Sequence, residues 1–229
     1  DVYKRQAYDL WHKYARPTSL PSGLASSAPS SDRLHDVTHS EEDATQSLLQ
    51  HFRNHVRLPA GTHVEDVHRT KNLFTLRVRA PAAHVRGSTD GCVCDTAHAG
   101  LDAYSAARSA VCLIELKTPE ALREFAQKCE TQAILELLGA SALCGYPVPV
   151  VLTSLSEPSA GMPGIRIFAW EGSVVRDFVG VESGPMTVAE AHGLLCALLP
   201  RVLAARRKYI AALLASCLLY TSPSPRDRG

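Results

Sequence analysis

Several of the features that would place a chain in a functional class at once are missing here. No apolar run approaches the ~20 residues that a membrane-spanning helix needs, so no membrane is expected as a partner. The opening stretch DVYKRQAYDLWHKYARP lacks the apolar core of a secretory signal. There is no G-x-x-x-x-G-K-[S/T] loop and no G-x-G-x-x-G turn, so neither phosphate cradle supports nucleotide binding. No Ser-, Cys- or His-based nucleophile carries a local signature, and no internal repeat points to a solenoid or array. A charge excess is missing too, because 24 Lys and Arg face 23 Asp and Glu. Global basicity is therefore no argument for nucleic acid, and such binding would need a local patch. The seven cysteines are odd in number and follow no framework spacing. The expectation is reduced thiols and an intracellular setting, cytoplasmic or nuclear.

What is present is ordinary globular material: 229 residues, 45% hydrophobic and 21% charged, enough for one domain with a core. Both ends look foreign to it. DVYKRQ (1–6) resembles the translated mosaic end of a transposase-based sequencing adapter, and CLLYTSPSPRD (217–227) resembles the translated reverse complement of that adapter and its extension. Residues 1–6 and 217–229 are accordingly set apart as adapter-like artefacts. Leaving out Asp1, Lys4, Arg5, Arg226, Asp227 and Arg228 takes Lys+Arg from 24 to 20 and Asp+Glu from 23 to 21, a net charge of −1. On this reading the true protein continues past both ends, and additional domains are missing from the fragment. Residues 7–35 form a flexible N-terminal segment that contains the Ser/Pro-rich linker Pro17 to Ser31. Residues 36–216 form a single domain, truncated by the library.

Within that domain, SEEDATQSLLQHFRNHV has Ser40 as a helix cap and a stripe of Ala44, Leu48, Leu49, Phe52 and Val56. KNLFTLRVRA alternates as a half-buried strand. AHVRGSTDGCVCDTA reads as a second strand with a glycine in it, AGLDAYSAARS as a loop, and AVCLIELK as a third strand, apolar enough to be central. Pro119 opens one long helix with a stripe of Leu122, Ala126, Cys129, Ala133 and Leu137. VPVVLTSL, GIRIFAWEG and SVVRDFVGV follow as strands, and TVAEAHGLLCALLPRVLAARRKYIAALLAS as a helix broken or kinked at Pro200. The order α–β–β–β–α–β–β–β–α, with a helix crossing between two apolar strands, predicts an α/β fold: a mixed β-sheet flanked by helices.

The residues that bear chemistry sit in VCLIELKTPEAL. Strand alternation puts Glu115 and Lys117 on the face of Leu113. A buried lone carboxylate costs several kcal/mol, so Glu115 requires a partner, a metal or water. Two ordinary explanations exist: an exposed Glu115–Lys117 ion pair, worth at most ~1 kcal/mol, or a strand face that is simply solvated.

E-x-K at the end of an apolar strand, after a strand bearing the Asp of RGSTDGCVC and before a helix, resembles the core of the PD-(D/E)xK nuclease superfamily. The run GSTDGCVC … CLIELKTP … QAILELLGAS … VPVVLTSL … GIRIFAWEG looks especially like the restriction-nuclease-like domains of eukaryotic mobile-element and Crinkler-type proteins, over roughly Val64 to Gly180. Thr89 stands where the motif has Pro, which makes no metal bond. The resemblance implies a restriction-endonuclease-like α/β/α core and phosphodiester hydrolysis on DNA or RNA. It implies that Asp90 and Glu115 hold Mg²⁺ (or Mn²⁺), an oxygen-seeking ion. It further implies that Lys117 orients or activates the attacking water, and that a Gln on the next helix faces the site. Gln132 answers to that Gln, with Glu136 one turn on. The first acid of such sites usually comes from an upstream helix, which leaves Glu42 or Glu41, or Glu65 in THVEDVHRTKN.

Each of these residues has a plainer explanation. Asp90 beside Gly91 is a good turn residue. Glu41 and Glu42 complement a helix dipole, Glu65 is a solvated loop acid, and Gln132 is a stripe-edge residue bonded to backbone. Asp95 and Asp102 compete with Asp90 as acids, although Asp102 falls in a loop. Cys92 and Cys94, with His84 and His98 near them, have the makings of a zinc site, but small buried thiols suit them better. The run AARRKY (204–209) reads as a solvated helix face, with contact to phosphate backbone as the alternative. A catalytically inactive nuclease-like adaptor module, or a regulatory domain beside a kinase or ATPase outside the fragment, are the rival functions.

Overall fold

The computed structural model describes residues 16–19, 41–79, 82–98, 100, 102–154, 164–171, 174–179 and 186–221, excepting the side chains of 16–19, 41–44, 76–79, 82–85, 98, 171, 179 and 217–221. Its centre is strand β6 (Ala110–Leu116), in which every residue is buried. The apolar run AVCLI can sit there because a central strand is covered on both faces. β5 (Gly91–Asp95) pairs antiparallel on one side of it and β7 (Val150–Thr153) pairs parallel on the other. β2 (Thr62–Asp66) lies outside β5, while β8 (Ile165–Glu171), β9 (Val174–Val179) and β1 (Arg16–Ser19) follow β7, giving the order β1-β9-β8-β7-β6-β5-β2. The parallel β6–β7 pair needs a crossover connection, which two helices supply: α3 (Pro119–Glu124) and α4 (Ala126–Cys144). The chain is thus an α/β protein with a mixed sheet flanked by helices, as expected.

Helices α1 (Glu41–His55) and α5 (Val188–Thr221) cover one face. Leu48, Leu49, Phe52 and Val56 of the α1 stripe are all buried. The two helices meet where His51 Nε2 and His192 Nε2 lie 3.1 Å apart. The other face carries α4, the short α2 (Ala103–Arg108) and a separate two-stranded ribbon of β3 (Phe74–Arg79) and β4 (Ala82–Gly87). This ribbon packs on α4 through Phe74, against which Gly139 leaves no room for a side chain.

Six segments differ from the sequence reading. AHVRGSTDGCVCDTA is two strands, because Thr89 Oγ1 (2.8 Å) and Asp90 N (3.2 Å) both turn in to donate to Ile114 O, ending the ribbon and starting β5. THVED is a strand rather than a loop. DAYSAARS is a helix, with the Asp102 carboxylate accepting from Tyr104 N and Ser105 N as its cap. The helix after Pro119 is interrupted at Phe125, whose φ/ψ of −128°/32° is not helical. Arg16–Ser19, assigned above to the linker, pairs parallel with β9, and Pro17 is tolerated because the strand is at the sheet edge. The last helix is continuous through Pro200. By length and composition Val188–Ser216 is apolar enough to cross a membrane, contrary to the reading of the runs above, yet half of its most apolar window is buried inside the protein.

Gly91, at the start of β5, shows how tightly the α1 layer closes on the sheet: a Cβ there would collide with the Leu49 side chain and lie 3.3 Å from Glu65 O. Gly91→Ala is expected to cost about 1–3 kcal/mol in thermal or urea unfolding, the usual penalty for overpacking. In a double-mutant cycle with Leu49→Ala the two changes should be less than additive, because each makes room for the other. Full additivity would contradict this packing.

Candidate active site

β5 and β6 run antiparallel with Gly91 opposite Ile114 and Cys92 opposite Leu113. Asp90, one residue before β5, therefore lies beside the end of β6, where its Oδ2 accepts from Leu116 N at 2.7 Å. Glu115 Oε1 accepts two short hydrogen bonds, from Lys117 Nζ and from Gln132 Nε2, each at 2.5 Å. The same Gln132 Nε2 donates to Glu136 Oε1 at 2.9 Å. Two strands and the helix that follows them thus bring Asp90, Glu115, Lys117 and Gln132 together. Glu136, which the sequence placed only one turn beyond Gln132, joins the cluster because residues four apart on a helix are neighbours. Lys117 is held at the strand end by its own backbone, which donates to Thr153 O at 2.9 Å.

Neither ordinary explanation of E-x-K survives this geometry. Glu115 is 2% exposed and Glu136 also 2%, so the ion pair is not on the surface and the strand face is not solvated. Burial, followed by repulsion from Asp90, pushes the Glu115 carboxyl up to about 7 in spite of Lys117. Burial and then the Glu115 charge hold the Glu136 carboxyl well above the usual carboxylate range. For Lys117 burial acts to lower the ammonium pKa, but the adjacent Glu115 outweighs it and the net direction is upward. Glu115 Oε2 and Glu136 Oε2 are buried without a hydrogen-bond partner. Unpartnered carboxylate oxygens are the donors a hard divalent cation prefers, so the residues fit Mg²⁺ or Mn²⁺ in kind. Among the described residues, however, no group of three or more His, Cys, Asp or Glu is already arranged to hold a metal ion.

The side chains of Glu41 and Glu42 are outside the described residues, as are those of His84 and His98. Glu65 is on β2 opposite Cys92, and its carboxylate is 2.9 Å from His63 Nε2. Asp95 pairs with Arg206 of α5, which makes Arg206 a buried residue, while Arg207 and Lys208 of the same basic run are exposed. Cys92 and Cys94 are fully buried, and the neighbouring Cys94, then burial, push the Cys92 thiol up. Among the described residues, His63 lies 3.5 Å from Cys94 Sγ, a proximity that sequence spacing does not reveal because it depends on the pairing of β2 with β5. The chain matches no family model, no curated protein and no solved structure.

The raised Glu115 pKa has a definite consequence for stability. The native state keeps the Glu115 proton more tightly than the unfolded chain, whose glutamate titrates near 4.5. The stability tied to that proton is fully present below pH 4.5 and is lost as pH rises through about 7. In metal-free buffer, the thermal midpoint of the wild type relative to Glu115→Gln should therefore fall between pH 4.5 and about 7 and then level off. A difference that stays constant with pH, or one that grows in favour of the wild type, would contradict a buried carboxyl of raised pKa.

Proposed function

We propose that the chain is a metal-dependent nucleic-acid endonuclease of PD-(D/E)xK type, hydrolysing phosphodiester bonds of DNA or RNA in an intracellular setting. One observation supports the reading: Asp90 before β5, Glu115 and Lys117 at the end of β6, and Gln132 of α4 share one hydrogen-bonded and electrostatic neighbourhood. The restriction-endonuclease-like arrangement expected above, with an upstream helix, an antiparallel strand pair bearing the acids, and a helix crossing to a parallel strand, is compatible with the order α1–β2–β5–β6–α4–β7.

Asp90 and Glu115 would hold the cation, with Glu42 of α1 as the proposed upstream acid and Glu65, already engaged by His63, as its alternative. Bound there, Mg²⁺ or Mn²⁺ would neutralise phosphate charge and lower the pKa of water. Lys117 places a fixed ammonium beside those carboxylates, where it can orient the attacking water and offset the negative charge that grows on the phosphate. Gln132 ties the Glu115 carboxylate to α4 and so limits its rotation. A second reading, an inactive nuclease-like adaptor attached to further domains, is favoured by the same Glu115 Oε1 already being satisfied by Lys117 and Gln132, and by the lack of a preformed three-donor group among the described residues.

The two readings separate in one experiment. For the nuclease, millimolar Mg²⁺ or Mn²⁺ raises the thermal midpoint of the wild-type chain, because only the native state binds the ion. Glu115→Gln removes that shift, and Lys117→Ala abolishes cleavage of DNA or RNA while the protein stays folded. For the adaptor, neither ion shifts the midpoint and no single- or double-stranded substrate is cut.

A further inference from the structure

A buried carboxyl such as Glu136 is expensive unless it is partnered, and the cation ligands proposed above, Asp90 and Glu115, do not include it. It lies beneath the end of the β3–β4 ribbon, where a Cβ on Gly87 would be 3.7 Å from Glu136 Cγ. Its carboxyl accepts from the Gln132 amide at 2.9 Å and also meets the Glu115 carboxyl in a side-chain hydrogen bond. That amide has two N–H groups on a single nitrogen and one carbonyl oxygen. With carboxylate oxygens on both sides, at Glu115 and at Glu136, only the NH₂ end satisfies both. Take away the second acceptor and Gln132 Nε2 is held by Glu115 Oε1 alone, so the side chain loses one of the two anchors that fix its position.

We propose that Glu136 is the positioning residue of this site: it locks the Gln132 amide with its NH₂ towards Glu115, and so fixes the orientation of the Glu115 carboxylate. The proposal rests on the nuclease reading. It assigns Glu136 no contact with substrate or metal, only an action on Glu115 through Gln132 and through the side-chain hydrogen bond between the two carboxyl groups.

The test uses the whole chain with Glu136→Leu, Glu136→Met and Glu136→Gln, and reads kcat, KM, Mn²⁺ affinity by calorimetry, and the thermal midpoint. Removing a partner that orients a ligand side chain typically costs about 10–100-fold in activity or metal affinity. Glu136→Leu should lose kcat and Mn²⁺ affinity on that scale, with KM little changed and the midpoint equal or higher. Glu136→Met keeps the side-chain length and gives the same answer should the Leu variant fail to fold. Glu136→Gln should restore kcat and affinity, because its carbonyl accepts the same N–H. Adding Gln132→Leu to Glu136→Leu should cost little more, since the two residues act as one unit. Wild-type kcat and Mn²⁺ affinity in the folded Leu or Met variant would overturn the proposal, as would a Gln variant as impaired as those two. A wild-type chain that neither binds Mn²⁺ nor cuts nucleic acid is a separate result, and it removes the nuclease reading on which the proposal stands.

Discussion

The burial of Glu115 in the central strand constrains the rest of this architecture. A carboxylate at 2% exposure has lost its water, and the cost of that, several kcal/mol, has to be met by charge and hydrogen bonds in fixed places. Lys117 can reach it only from the same strand face, two residues on. Gln132 can reach it only if the chain turns immediately after Lys117, starts a helix, and lays that helix back across the sheet. Thr118 as cap, accepting from Ala121 N, and Pro119 at the first helical position make that turn possible. The crossover then returns the chain as β7, parallel to β6, where Thr153 O accepts from Lys117 N and holds the strand end that carries the cluster. Sheet order, helix start and site geometry are in this way three aspects of one requirement.

This is also why some parts of the structure could be read from sequence and others could not. β6 was legible because a short unbroken apolar run before Thr118-Pro119 suits a strand covered on both faces, and α1 because Leu48, Leu49, Phe52 and Val56 repeat at helical spacing. β2 was not. Only Val64 of THVED is buried, while His63 and Glu65 carry polar groups towards each other, so the alternation is too short to stand out. The α2 helix buries just Ala106 and Ala107 and therefore leaves no stripe. The interruption at Phe125 falls between two positions of an otherwise continuous stripe, and its 56% exposure shows that no core contact decides it. Within the site, Asp90, Glu115, Lys117 and Gln132 were each recognisable by type and order. Glu136 was noticed only as the next turn, because a glutamate at a stripe edge reads the same whether it faces solvent or lies beneath a ribbon formed by residues fifty positions earlier. The ion pair of Asp95 with Arg206 was hidden for a similar reason: it links the first half of the sheet to the last helix.

The protein contains an internal control for what a purely structural buried ion cluster looks like. Arg166 on β8 pairs with Glu130 of α4 and Asp177 of β9, and stacks its guanidinium 5.0 Å from the centre of the Phe168 ring. Its two acids share one cation whose forked donors are made for carboxylates, and no fully buried side-chain oxygen of that trio is left unpartnered. The Glu115 cluster is built differently. It gathers three carboxyl groups around one lysine and one amide, and Oε2 of Glu115 and Oε2 of Glu136 are buried with no donor from a lysine, arginine or amide. Replacing such a cluster with apolar side chains of similar volume would stabilise the sheet rather than weaken it. A fold that needed only stability has in the Arg166 trio a better solution already, on the same face of the same helix layer. The excess of acid over cation around Glu115 is what sets this cluster apart from the Arg166 trio, and stability alone does not account for it.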